Sequence, residues 1–162
     1  MVLVNENVVE IINEQINKEF YSGYLYLSMA GYFCGMNFQG FANFTQEYSK
    51  KKIELGLKLF NNLIIRKVTV NLYQIKTPDR EFNNPLDVFL RMSDNEQMLT
   101  DSIMNAIKPV ERDNDRQTLS LIDCYIKDQE KELTELQYLI SKLKYFKNDD
   151  SILYLLDREF RR

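Results

Sequence analysis

Only five glycines and three prolines punctuate the 162 residues, so the chain has few places to turn and long stretches with nothing to interrupt a helix. A many-stranded sheet needs a turn signal every ten residues or so, which this chain does not supply. Apolar residues recur instead at steps of three and four, and the pattern predicts an all-α protein with helices over about 5–34, 38–67, 85–111, 115–147 and 151–160. The first runs from about Asn5 to Cys34, with Gly35 as its stop. The second runs from about Phe38 to Lys67. Two helices of about 30 residues, each roughly 45 Å long, joined by so short a link, must lie antiparallel.

After Lys67 the pattern changes to an alternation of Val68, Val70 and Leu72, followed by Lys76-Thr77-Pro78-Asp79. This predicts an extended crossover with a little strand character. Asn84 then caps a third helix beginning at Pro85, where a missing N–H costs nothing, and continuing to about Glu111, with Pro109 at its fraying end. The polar run Arg112-Asp113-Asn114-Asp115 makes a turn into the fourth helix, and Asp149 or Asp150 caps the fifth. At about ten residues that last helix is marginal alone, so Ile152, Leu155, Leu156 and Phe160 are expected to dock. Two helical hairpins joined by a long crossover leave the first and third helices parallel, within one domain spanning residues 1–162.

Apolar residues at 44% and charged residues at 28% suit a packed globular chain and not a disordered one. A net charge of −3 gives no general attraction to nucleic acid or to an anionic membrane. No apolar segment has membrane-spanning length, and Cys34 and Cys124 lie far apart without a metal-type spacing, so a reducing cytoplasm is the expected location. Histidine is absent, which removes every mechanism that needs imidazole. Any metal site must use oxygen donors, a set that suits iron, manganese, magnesium or calcium better than zinc or copper.

Each long helix carries one charged residue midway along its apolar seam. In the first, Glu19 lies among Ile12, Ile16, Gly23, Tyr26 and Phe33; in the second, Lys52 lies among Phe44, Tyr48, Leu55, Leu59 and Leu63. In the third, Glu96 interrupts Phe89, Met92, Leu99, Ile103 and Ala106; in the fourth, Gln129 and Glu132 interrupt Ile122, Tyr125, Leu136, Leu139 and Leu143. Carboxylates gathered at one depth repel one another unless a cation, a proton or a basic side chain compensates. The same spacing also fits side chains at the edge of a seam with their heads in water, so periodicity alone leaves both arrangements open.

The residues Asn13-Glu14-Gln15-Ile16-Asn17-Lys18-Glu19-Phe20-Tyr21-Ser22, Phe38-Gln39-Gly40-Phe41, Asn95-Glu96-Gln97, Gln129 with Glu132, and the stretch Ser151 to Phe160 together resemble the bacterial non-haem ferritins over nearly the whole chain. The resemblance implies a ferritin-like antiparallel four-helix bundle with a long crossover between its second and third helices and a short fifth helix. It implies Glu19, Glu96, Gln129 and Glu132 as metal-binding positions, with Tyr26 beside the site. It implies iron as cargo or weak ligand, no haem, and self-assembly into the 24-mer cage that is the family norm. An active ferritin chain is left open as a co-assembling partner.

This sequence departs from the family on the second helix, where a Glu-x-x-His motif supplies a bridging carboxylate and an imidazole. Here the stretch reads Lys52-Ile53-Glu54-Leu55. A lysine therefore stands at the bridging position, as it does in the oxidising site of animal light-chain ferritins, and Leu55 replaces the imidazole. Pairing of Lys52 with Glu19 or Glu132 is expected, with loss of efficient iron oxidation. An altered di-iron oxidase would need Glu54 to replace the bridge, but it lies two residues from Lys52, about 200° round the helix. The run Lys50-Lys51-Lys52, with Glu47, Glu54 and Lys58, reads as a solvated face or as a wall that favours anions. A scaffold binding anions or nucleic acid is the third alternative. Arg158, Arg161 and Arg162, repeated about a fourfold axis, would repel one another, so cage closure requires acids or anions between them.

Overall fold

The computed structural model describes residues 4–147 and 149–161. Its helices are α1 (Glu6–Gly35), α2 (Gln39–Ile65), α3 (Pro85–Met104), α4 (Ile107–Arg112), α5 (Arg116–Tyr145) and α6 (Asp150–Glu159). The four long ones form the antiparallel bundle, with α1 packed along α2, α5 along α3, and α1 against α3.

The ends of the elements have identifiable causes. Asn5 caps α1 by accepting from the Asn7 N–H, and Asn84 caps α3 by accepting from the Asp87 N–H, with Pro85 in the first turn. Asp149, of the two expected candidates, caps α6 by accepting from the Ser151 and Ile152 N–H groups. Between α1 and α2, Asn37 adopts φ 61°, a left-handed conformation that asparagine tolerates well, and this reverses the chain in three residues.

The helix expected over 85–111 is broken. It stops at Met104 and restarts as α4 at Ile107. The cause is Pro109, whose ring clashes with the carbonyl four residues earlier, at Asn105, and whose nitrogen offers no proton. Pro109 therefore acts upstream of itself, inside the predicted helix and not at its fraying end.

The crossover has no strand among the described residues. Its backbone is instead held by side chains of α1: Asn13 Oδ1 accepts from the Asn71 N–H at 3.1 Å, Asn17 Oδ1 accepts from the Tyr73 N–H at 2.9 Å, and Ser28 Oγ donates to the Asp79 carbonyl at 2.6 Å. Val68 and Val70 lean on the core while Leu72 faces outward, so the alternation is real but has no partner strand to form a ladder.

α6 docks across the start of α2. Leu153, Leu156 and Asp157 form its buried face, whereas Leu155, expected to dock, is exposed; at 100° per residue the face through 153, 156 and 157 turns 155 away. Arg161 Nε pairs with Asp157 Oδ2 at 3.0 Å, so one of the tail arginines is compensated within its own chain. Arg162 lies outside the described residues.

Two apolar clusters fill the bundle. One is rich in aromatics, with Phe33, Phe41, Phe44 and Phe89 packed under α6; the other gathers Ile12, Ile16, Leu59, Leu63, Ile103 and Ile122. In sequence, every long helix passes from one cluster to the other through its polar residues, which places a charged layer between two dry ones.

A candidate metal centre filled by a lysine

The charged layer is almost entirely removed from water. Glu19, Lys52 and Glu96 are fully buried, and Glu132 keeps 7% of its surface exposed. The helical spacing that aligned these residues with the seams therefore puts them inside, and the edge-of-seam alternative does not hold for them.

Lys52 is at the centre. Its Nζ donates to Glu96 Oε2 at 2.6 Å, to Gln129 Oε1 at 2.7 Å and to Glu132 Oε2 at 3.1 Å. Three ammonium protons thus meet three acceptors from α3 and α5. Each acceptor is itself positioned. Tyr26 donates to Glu96 Oε1 at 2.5 Å, and the Asn95 amide donates to Tyr26 Oη at 2.8 Å. The Gln129 amide donates to Glu96 Oε2 at 2.8 Å and to Thr100 Oγ1 at 3.1 Å.

The expected alternative, pairing with Glu19, does not form. Lys52 makes ion pairs with Glu96 and Glu132, while Glu19 Oε1 accepts from the Gln15 amide at 2.9 Å and from the Tyr125 hydroxyl. Among the described residues, Glu19 Oε2 and Gln15 Oε1 are buried without a protein partner. Gln15, Tyr125 and Thr100 were not singled out from the sequence as site residues. The signal was present in Gln15, four residues before Glu19, and in Tyr125, four before Gln129, since such pairs share a helix face.

The electrostatics follow from this arrangement. Burial opposes the charge on Lys52, but Glu96, Glu19 and Glu132 together outweigh it and hold its pKa above the ordinary lysine value. Burial pushes Glu19 up to about 7, against the opposing influence of Lys52 and the hydrogen bonds from Tyr125 and Gln15. Glu132 is also raised by burial, with Lys52 pulling the other way. Burial and neighbouring carboxylates raise Tyr26, Tyr48 and Tyr125, which therefore remain neutral proton donors. Removing one partner from a buried charge pair of this kind costs about 3–5 kcal/mol, because the other charge stays in low dielectric uncompensated.

A metal pair does not fit these residues. An ammonium donates and cannot coordinate, and its charge repels a cation from the point where Glu96, Gln129 and Glu132 converge. Leu55 packs on the neighbouring apolar cluster and offers no donor atom. Glu54 is exposed and lines a surface depression with Lys51 and Lys58, so it does not replace the missing bridge. Among the described residues no group of three or more His, Cys, Asp or Glu side chains is arranged to hold a metal ion.

A sequence model of the ferritin-like domain matches residues 9–146. The chain belongs to the ferritin family. As a ferritin it is 29% identical to the bacterial non-heme ferritin of Campylobacter jejuni, across 96% of this chain and 93% of that one. It is 26% identical to the bacterial non-heme ferritin of Staphylococcus aureus, across 97% and 95%. Its fold superposes on an open pore ferritin of the archaeon Archaeoglobus fulgidus with a TM-score of 0.94 at 31% identity, covering 99% of this chain and 98% of that one. The ferritin fold is therefore retained over nearly the whole chain, with Lys52 at the middle of its buried polar layer.

Proposed function

We propose that this chain is a cage-forming, iron-storage ferritin subunit that does not oxidise iron efficiently by itself. The observation that carries this reading is the fully buried Lys52 ammonium, 2.6 Å from Glu96 Oε2 and 3.1 Å from Glu132 Oε2. A ferrous ion arriving there as substrate would have to displace a covalently tethered cation that already satisfies the acceptors. Family membership and the full-length likeness to bacterial and archaeal ferritins support the storage and assembly part of the proposal. The subunit's task is then to build the shell and hold iron that is oxidised elsewhere, in solution or on a co-assembled active chain.

Aerobic addition of ferrous iron tests the proposal. The expected result is oxidation at the rate of buffer alone, with a saturable fast phase appearing only in Lys52→Glu/Leu55→His. Fast, saturable turnover in the unmodified chain that Glu96→Ala abolishes would overturn it.

A further inference from the structure

The charged layer reaches solvent at one member, Glu132. Its carboxylate has two faces. Oε2 turns inward to Lys52 at 3.1 Å, and Oε1 turns outward to Lys51 Nζ at 3.6 Å. Outside it lies a depression of about 220 Å³, lined by Lys51, Lys58, Lys131, Glu54, Asp128 and Leu55 together with Glu132. Glu19, Lys52, Glu96 and Gln129 do not line it.

Lys51 is held at this mouth. Its ammonium sits over the Tyr48 ring, 4.8 Å from the centroid, a cation–π contact that orients the charge. Tyr48 is in turn fixed by donating to Glu135 Oε2 at 3.1 Å, with its hydroxyl 3.2 Å from the Glu132 carbonyl. Adjacent residues on a helix point about 100° apart, so Lys51 and Lys52 approach the same carboxylate from its two sides.

We infer that Lys51 is a second barrier to cation entry, closing the solvent face of Glu132 independently of the lysine that fills the centre. This rests on the reading of the buried cluster as a filled metal site. Two changes then separate the chain from cation binding: one cation inside the cluster, and one that occupies the outer carboxylate oxygen and repels an incoming charge at the mouth. Replacing Lys52 and Leu55 alone opens the centre but leaves its entrance guarded. Lys58, which lines the depression but forms no ion pair with Glu132, contributes only a solvent-screened charge.

The experiment measures Co2+ affinity by calorimetry in Lys52→Glu/Leu55→His, and in the same background with Lys51→Gln, Lys51→Arg or Lys58→Gln. Cobalt binds without the oxidation chemistry of iron, so the readout is affinity and not turnover. Lys51→Gln is expected to tighten binding about tenfold at low salt, with the gap closing as salt is added. Lys51→Arg, which keeps the charge, restores the weaker affinity, and Lys58→Gln has the smaller effect. Equal affinities with and without Lys51→Gln would overturn the barrier while leaving the reading of Lys52 intact. An equal gain from Lys58→Gln would overturn it in favour of a diffuse field. Absence of Co2+ binding in every variant would overturn both readings. Lys52→Gln/Leu55→His, with one carboxylate fewer, is the background for the same comparison should the first fail to fold.

Discussion

Glu19 and Lys52 share one buried layer, but only Lys52 has its full set of partners. Glu19 Oε2 has no protein partner among the described residues, and burial pushes the Glu19 pKa up to about 7, against 4.5 for an ordinary glutamate. Between those values the folded chain binds a proton that the unfolded chain has lost, so stability is fullest below pH 4.5 and falls as pH rises through 7. The raised pKa of Glu132 acts with the same sign. Asp87 and Asp115 are held below their usual range and act in the opposite sense only at more acid pH, while the Lys52 contribution persists throughout because its pKa lies above the ordinary lysine value. Urea unfolding should therefore show a loss on the order of 3 kcal/mol from Glu19 between pH 4.5 and 8. Glu19→Gln should remove most of that slope, and an unchanged slope would refute the assignment. The positions Glu19, Lys52, Glu96, Gln129 and Glu132 were readable from helical spacing. Which carboxylate Lys52 chooses was not, because that depends on the register between helices and on the reach of each side chain.

Among the elements, α2 begins without a cap of its own. Phe38 precedes it and offers no side-chain acceptor. The acceptor comes from α6 instead: Asp157 Oδ1 takes the Phe41 N–H at 2.9 Å. The two helices approach so closely that a Cβ on Gly40 would lie 1.7 Å from the Asp157 carbonyl oxygen. Phe160 completes the joint against Phe41 and Phe44. Gly40→Ala should thus release α6 without dissolving the bundle. Hydrogen exchange would show α6 amides losing protection while those in the middle of α1 and α5 keep theirs; a uniform loss would mean that α6 is part of one cooperative unit. Asp157→Ala should cost about 1–2 kcal/mol through the lost cap. Helix positions came through well from periodicity, whereas the break at Asn105 and the capping of one helix by another did not. The first needed Pro109 to be read against the residue four before it, and the second links residues 116 apart in sequence.

At the scale of the molecule, a charged layer separates two apolar clusters, and the ammonium that balances part of its charge is covalently attached. Three carboxylates face one buried lysine, Lys52, with Lys51 half in solvent outside. On the proposed reading the Lys52 ammonium takes the place of a metal at this level, so the bundle's stability has no binding term to lose. Thermal unfolding should give the same midpoint with and without a strong chelator, and ferrous iron should not raise it; a chelator-induced drop of several degrees would show a metal contributing to the fold. The sequence by itself determined the helices, their antiparallel hairpins, the long crossover and the seam positions of the charged residues, because these depend on local propensity and on a period of about 3.6 residues; that those residues are buried and do not reach water came from the packing of the helices. Only the tertiary structure decided that Lys52 pairs with Glu96 and Glu132, that Glu19 is left half-satisfied, and that α6 caps α2. Each of those is a choice among partners distant in sequence, and the packing distance between helices, not the chain's own pattern, makes that choice.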